Sequence, residues 1–328
     1  MQLIIDTANT DISVRNKCFF FTNQEVQRQI SPSRISSISI TVNCTINASA
    51  IKLAAHHQIP ILFYNNFGTI QARLYSPYFS NLASLRKKQY LFSQSPIATR
   101  WLLDLLITKG QEQIRNIERG YKRKGKPEGE YQTFVTRISE IIKQMAATEA
   151  MPITALRSTI LGWEGSIGRV YFSALQPLMP EIFKFSNRSR KPATDYFNAG
   201  LNYLYGMTYG VVESGIFAKG LDPGVGILHV DAYQKPTLAF DLIEPFRPVI
   251  DRILLNLIWE DKLSEKHFIP KEQGYWMSKA GKRIVVKSFA DFLNQRMEYR
   301  EEVRRLKDHI YGESNRLGNL IDETIELL

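Results

Sequence analysis

The hydrophobic period of this chain changes once, between about residues 82 and 88, and that change most limits what it can fold into. Before it, apolar residues come in short runs that alternate with polar ones and end at turn residues, the pattern of half-buried strands. Leu3-Ile4-Ile5-Asp6 is one such run. Ile12-Ser13-Val14-Arg15 turns at Asn16-Lys17 into Cys18-Phe19-Phe20-Phe21. Ile35 to Val42 is rich in β-branched residues, which suit a pleated surface. Asn47 is placed to cap a short helix, Ala48 to His57, with Ala50, Ile51, Ala54 and Ala55 on one face. Pro60 to Tyr64 returns to strand, and Gly68 turns into Ile70 to Tyr75, ended by Pro77.

After the change the spacing is that of amphipathic helices. Arg100 to Gly120 spaces Leu102, Leu105, Leu106, Ile107, Ile114 and Ile117 as an amphipathic face. Arg119 to Glu130 (RGYKRKGKPEGE) reads as an exposed polar connection. Helices are predicted over Phe134 to Ala150, Pro152 to Leu175 and Thr194 to Phe217. Two more cover Leu238 to Trp259, after its first turn, and Phe289 to Lys307. The expected fold class is α+β, with a small β-rich N-terminal domain (1–85) followed by a larger all-α domain (86–328). At roughly 150 residues per domain, 328 residues agree with two.

Composition narrows the class. With 44% hydrophobic and 23% charged residues the chain is a folded globular protein, not a disordered or collagenous one. No apolar run approaches the roughly 20 residues of a membrane span. The first residues, Met1 to Asp6, carry no basic segment ahead of an apolar one, so no secretory signal is expected. Cys18 and Cys44 are too few for a disulfide framework or a thiolate metal site. A reducing, cytoplasmic compartment is the expectation. The formal charge is +10, of which +6 falls in residues 1–88, and this favours a polyanionic partner.

No Walker loop, dinucleotide glycine fingerprint or thiolate zinc pattern is present. Glu164-Gly165-Ser166-Ile167-Gly168 lies in a helical pattern with no strand before it, so it is not a nucleophile elbow. The informative stretch is Gly224-Val225-Gly226-Ile227-Leu228-His229, followed by Lys235 to Arg247. Asp241 and Glu244 are three apart and share a helix face. Near a helix start they read either as a cap and a solvated first-turn acid or, with His229, as hard donors for a divalent cation. Glu164, an acid in a largely apolar helix, must be paired, exposed or liganding; Arg157 and Arg169 are the nearest partners in sequence. Arg119, Lys122, Arg123, Lys124 and Lys126 form the densest basic run, and Arg188, Arg190 and Lys191 a second. Each reads as a solvated surface or as a phosphate contact. Arg304, Arg305 and Lys307 read as a solvated helix face. Arg247 reads as a phosphate contact or as an ion pair with Asp251.

These segments, in this order, resemble the CRISPR-associated endonuclease and integrase of the spacer-acquisition complex, the family of Cas protein one. The resemblance covers nearly the whole chain. It is carried by Leu3 to Thr7 with Ile12 to Asn16, which look like the family's opening hairpin, and by Ile30 to Ile38 and His57 to Phe63. In the helical part it is carried by Leu161 to Gly165, Asp195 to Tyr205, Gly220 to His229 and Asp241 to Arg247. Gly200, in Asn198-Ala199-Gly200-Leu201-Asn202, departs from the family pattern by one residue.

The resemblance implies a β-rich dimerisation domain and a helical catalytic domain whose metal ligands, for Mg²⁺ or Mn²⁺, are Glu164, His229 and Glu244, with Asp241 assisting. It implies insertion of short foreign DNA into a CRISPR array through attack by a 3′ hydroxyl, with Arg123, Lys124, Arg188, Arg190 and Arg247 as DNA-binding candidates. It also implies a homodimer that joins a small ferredoxin-like partner, Cas protein two, in a heterohexamer. Two other readings share the fold: a catalytically inactive DNA-binding scaffold, which the complete acid and histidine set disfavours, and a transposon integrase. The helical tail from Arg304 to Leu328 is short for an added helix-turn-helix module, which disfavours the latter.

Overall fold

The computed structural model describes all residues except 1, 25, 66–69, 75, 77–82, 191, 230–234, 273 and 327–328. The turn predicted at Gly68, the stop at Pro77 and the basic residue Lys191 therefore lie outside the described residues. The chain divides into two compact units, Met1–Asn81 and Leu82–Leu328.

The first unit holds two four-stranded sheets. β1 (Gln2–Ile5), β5 (Ser37–Ile40), β7 (Ile61–Tyr64) and β8 (Ile70–Leu74) form one, in the order β1-β5-β7-β8. Its first three strands are parallel, and β8 runs antiparallel to β7. The other sheet has the order β4-β3-β2-β6, from β2 (Thr10–Arg15), β3 (Cys18–Thr22), β4 (Gln27–Ile30) and β6 (Cys44–Ile46). The two opening strands thus belong to different sheets. The hairpin is β2–β3, not the expected pairing of Leu3 to Thr7 with Ile12 to Asn16. Helix α1 (Ala48–His56) starts where Asn47 Oδ1 accepts the Ala50 amide at 2.8 Å. Ile12, Phe19, Phe21, Ile38 and Ile61 build this unit's core.

The second unit is mostly helical: α2 (Ala83–Ser93), α3 (Pro96–Arg123), α4 (Gln132–Ala147), α5 (Ile153–Leu175), α6 (Tyr196–Lys219), α7 (Thr237–Leu242), α8 (Arg247–Trp259), α9 (Lys279–Asn294) and α10 (Leu306–Thr324). Two small antiparallel hairpins are set among these helices, β9 (Phe268–Lys271) with β10 (Gly274–Met277), and β11 (Arg296–Tyr299) with β12 (Glu302–Arg305).

Three predicted elements change. The connection predicted from Arg119 begins only after Arg123, because α3 continues that far, with Ser95 capping its start and Pro96 at its first position. The predicted Leu238 to Trp259 helix is broken, with a 3-10 turn at Glu244–Phe246 between α7 and α8. The predicted Phe289 to Lys307 helix ends at Asn294, and the β11–β12 hairpin follows. Arg304 and Arg305 accordingly lie on a strand, not on a helix face.

Helix α6 is the centre of this unit. Asp195 caps it, its Oδ1 accepting the Asn198 amide at 2.7 Å, and Gly220, at φ 96°, closes it in the left-handed conformation. Gly200, the departure from the family pattern, has a packing reason: a Cβ there would stand 2.7 Å from Leu254 Cδ1 of α8.

Candidate active site

Four elements of the helical unit bring charged side chains to one place. Helix α3 contributes Lys109, which follows Leu102, Leu105 and Leu106 on its buried face. Helix α5 contributes Glu164. The 3-10 turn contributes Glu244, and the first residue of α8 contributes Arg247. Lys109 Nζ donates a short hydrogen bond to Glu164 Oε1. It also lies 2.6 Å from Glu244 Oε2, as an ion pair without the alignment of a hydrogen bond. Arg247 Nε donates to the other Glu244 oxygen at 2.9 Å, and its Nη2 donates to Tyr209 Oη at 2.7 Å. The Lys109 and Glu244 side chains are only 7% and 4% exposed, whereas Glu164 is 31% exposed and marks the open side.

The electrostatics follow from this packing. Burial alone would push the Glu244 carboxyl up, but Arg247 and Lys109 outweigh it and hold the group down at about 2. Burial would likewise lower the Lys109 ammonium, and the two glutamates outweigh that, so it is raised. Arg247 is raised against burial, by Glu244 first.

His229 is positioned by a carboxylate that does not reach this cation. Asp241, fully buried, accepts the amides of Ile227 (2.6 Å) and Leu228 (3.1 Å) on Oδ2. Its Oδ1 accepts the His229 amide at 3.3 Å and faces His229 Nδ1 at 2.6 Å. The carboxylate accepts at that distance, so Nδ1 carries a proton, and Nε2 is the nitrogen turned away from Asp241. The loop is tight for the same reason that Gly226 is glycine: a Cβ there would meet His229 O at 2.7 Å and Thr237 Cβ at 2.8 Å. Phe240 bridges the two halves of the site, its ring 5.6 Å from His229 and 5.2 Å from Tyr209.

Several expectations are corrected. Asp241 is not a helix cap: it lies inside α7, and its carboxylate holds the turn and the imidazole. Glu164 pairs with Lys109, not with Arg157 or Arg169; Arg157 donates to Ile227 O at 3.1 Å, and Arg169 to Ser166. Arg247 pairs with Glu244, while Asp251 accepts from Tyr205 Oη (2.6 Å) and Tyr171 Oη (3.0 Å).

Of the DNA-binding candidates, Arg188 is engaged inside the fold. It donates to Asn198 Oδ1 at 2.9 Å and Asn202 Oδ1 at 2.6 Å, and lies over the Tyr205 ring. Arg247 lies over the same ring, 4.9 Å from the Tyr205 centroid, within the acidic site. Arg123, Lys124 and Arg190 are exposed. Beside Arg123, the residues Arg115, Glu118, Arg119, Lys122, Lys126 and Tyr131 line an open concavity of about 620 Å³.

Lys109 and Tyr209 were missed by sequence reasoning. The available signal for Lys109 was a lysine four residues after Leu105 on an otherwise apolar stripe.

The residues present fit a hard divalent cation by the chemistry of their donors. Two carboxylates supply oxygen, and a histidine whose Nδ1 is held by a carboxylate is the usual arrangement of a ligating imidazole. Among the described residues, no three of His, Cys, Asp and Glu stand together as a metal cluster; the two glutamates converge on Lys109.

This is an acid–histidine centre in the helical unit of a two-unit α+β fold. The chain belongs to the family described as CRISPR associated protein Cas1, which matches residues 3–291. A curated relative, the CRISPR-associated endonuclease Cas1 1 of Archaeoglobus fulgidus, is 26% identical over 312 residues, 92% of this chain and 90% of that one. Among solved structures, a casposase bound to integration product is similar at TM-score 0.82 and 22% identity, over 100% of this chain and 92% of that one. A chain of a Cas6-RT-Cas1–Cas2 complex is similar at TM-score 0.79 and 20% identity, over 98% of this chain and 35% of that larger one. No helix among the described residues is long and apolar enough to cross a membrane.

Proposed function

We propose that this protein is a metal-dependent DNA endonuclease and integrase that inserts short DNA fragments into a CRISPR array. The observation that carries this reading is the convergence of Glu164 and Glu244, from distant parts of the chain, on one buried cation beside a histidine fixed by Asp241. Family membership and the likeness to a relative named as an endonuclease support it.

Glu164, Glu244 and His229 Nε2 would hold Mg²⁺ or Mn²⁺. When bound, such an ion supplies charge neutralisation at the phosphate and activation of the attacking 3′ hydroxyl or water. Asp241 keeps the imidazole in the tautomer that presents Nε2. Arg247, itself held by Tyr209 Oη, fixes one Glu244 oxygen, and the other lies beside Lys109. The protein thus contributes positioning. Transesterification needs no covalent protein intermediate, and none of these residues is an activated nucleophile.

The same reading takes the β-rich unit as the homodimerisation module. It takes a small Cas2-like protein as the partner in a heterohexamer and the prokaryotic cytoplasm as the location. The similar chain of a Cas1–Cas2 complex supports the partner. Arg123, Lys124 and Arg190 remain candidate phosphate contacts.

The test is strand transfer of a labelled duplex into a supercoiled plasmid that carries a repeat array. Glu164→Ala and His229→Ala are expected to lose integration and cleavage of branched DNA while retaining DNA binding. Integration retained by either variant overturns the assignment, and absence of both reactions in the intact protein with Mg²⁺ or Mn²⁺ would favour the inactive scaffold.

A further inference from the structure

We propose that Lys109 is a built-in counter-ion that couples capture of the divalent cation to the arrival of DNA. The inference rests on the metal-dependent reading above and goes beyond it.

The two glutamates are charge-balanced as they stand, and the remaining carboxylate, Asp241, is turned to the His229 ring and three backbone amides. Glu164 and Glu244 contribute two negative charges, and Lys109 and Arg247, in direct contact with them, contribute two positive ones. A dication approaching the two glutamates finds their charge already matched, and it meets the Lys109 ammonium on the very oxygens it would use. Burial makes that competition strong, because water does not screen it.

The two resident cations are held differently. The Arg247 guanidinium is fixed by Glu244 and by the Tyr209 hydroxyl, and lies over the Tyr205 ring. The Lys109 ammonium is a single charge on a flexible four-carbon stem. Its partners are Glu164 and Glu244, and Glu164 is on the open side of the site. Lys109 is therefore the cation able to let go. A phosphodiester that arrives beside Glu164 brings a negative charge. It offers the ammonium a new partner, and the carboxylate oxygens become free for the divalent ion.

Metal and DNA then bind with positive cooperativity, and each raises the affinity for the other by the same factor. A purely structural role for Lys109, tying α3 to α5 and the 3-10 turn, would change melting temperature but not this linkage.

The test measures free Mn²⁺ by electron paramagnetic resonance during titration of the full-length protein. The titration is run alone and with a branched duplex whose 3′ ends are dideoxy-terminated, which blocks strand transfer. In the unaltered protein, DNA is expected to tighten Mn²⁺ binding at least tenfold. In Lys109→Met and Lys109→Gln, Mn²⁺ alone is expected to bind at least tenfold tighter than in the unaltered protein, with the effect of DNA reduced below threefold.

Tight Mn²⁺ binding by the unaltered protein without DNA, and no further tightening with it, overturns the proposal without recourse to any variant. Equal affinities and equal DNA effects in all three proteins overturn it too, and leave Lys109 as a structural ion pair while the metal-dependent reading stands. No Mn²⁺ binding in any protein, with or without DNA, removes that reading and this inference together.

Discussion

One carboxylate holds both the backbone and the ring of His229: Asp241 takes the His229 amide and faces its Nδ1 at 2.6 Å with the same oxygen. The other oxygen takes the amides of Ile227 and Leu228. Asp241→Asn keeps the size of this group but replaces one acceptor with a donor, so the imidazole loses the partner that fixes its tautomer. Loss of such a partner costs about 10–100-fold in metal affinity or activity. We expect Asp241→Asn to lower the rate of strand transfer by that factor, with the affinity for DNA unchanged. Asp241→Ala also strips the buried amides of their acceptor, and thermal melting should show a loss of about 1–3 kcal/mol. A variant with full activity and unaltered melting would show that the turn and ring are held by something else.

A second prediction concerns Asp251, buried between Tyr205 and Tyr171. Burial pushes its carboxyl up from 3.8 to about 6, and the two tyrosine hydroxyls and the more distant Arg188 and Arg247 only partly offset this. The folded state therefore keeps a proton that the unfolded chain releases first. The group's contribution to stability is greatest below pH 3.8, falls as pH rises from there to about 6, and is constant above that. The span is on the order of 3 kcal/mol. Asp251→Asn cannot ionise, so its stability relative to the unaltered protein should improve by about that amount between pH 4 and pH 7. Denaturant midpoints across this range check it; a constant difference would mean that Asp251 is ionised throughout.

The reading of the sequence succeeded where the local signal and the tertiary outcome agree. Asn16-Lys17 was legible as a turn because Asn tolerates the left-handed region, and both residues adopt it, at φ 49° and 59°. Arg300 and Glu301 make the same kind of turn, at φ 49° and 64°, between β11 and β12. Nothing in Arg-Glu announces such a turn, and the charged residues around it fit a helical period, so a helix was predicted through the hairpin. Strand β4 was missed because Gln27, Arg28 and Gln29 are polar, exposed and at a sheet edge, where no alternation is required. The site divides in the same way. Glu164, His229 and Glu244 are named through resemblance, whereas Lys109, which bridges the two glutamates, and Tyr209, which holds Arg247, lie on α3 and α6. A contact between distant helices leaves no mark on local spacing.

A third prediction separates glycines that the fold requires from those it does not. Gly162 and Gly168 lie within α5, and a Cβ at either would meet nothing within 4 Å. Glycine in an exposed helix interior costs up to about 1 kcal/mol relative to alanine. Gly162→Ala and Gly168→Ala should each raise the melting temperature. Gly226→Ala should lower it, since its Cβ would press on His229 O at 2.7 Å. Equal responses at the three positions would contradict the packing described.

The last prediction divides the basic residues by what they touch. Arg188 is committed to Asn198 and Asn202, and so ties the loop before α6 to that helix. Its removal should lower stability and leave the salt dependence of DNA binding as it was. Arg119 and Lys122 line the open concavity beside the end of α3 and are free to meet phosphate. If DNA crosses this surface, each neutralised contact removes about one unit from the slope of log affinity against log salt. We therefore expect Arg119→Ala and Lys122→Ala to flatten that slope by about one unit each, with melting unchanged, and Arg188→Ala to do the reverse. The measurement is fluorescence anisotropy of a labelled duplex between about 50 and 200 mM salt. A flattened slope for Arg188→Ala alone would return that residue to the DNA interface and take the concavity out of it.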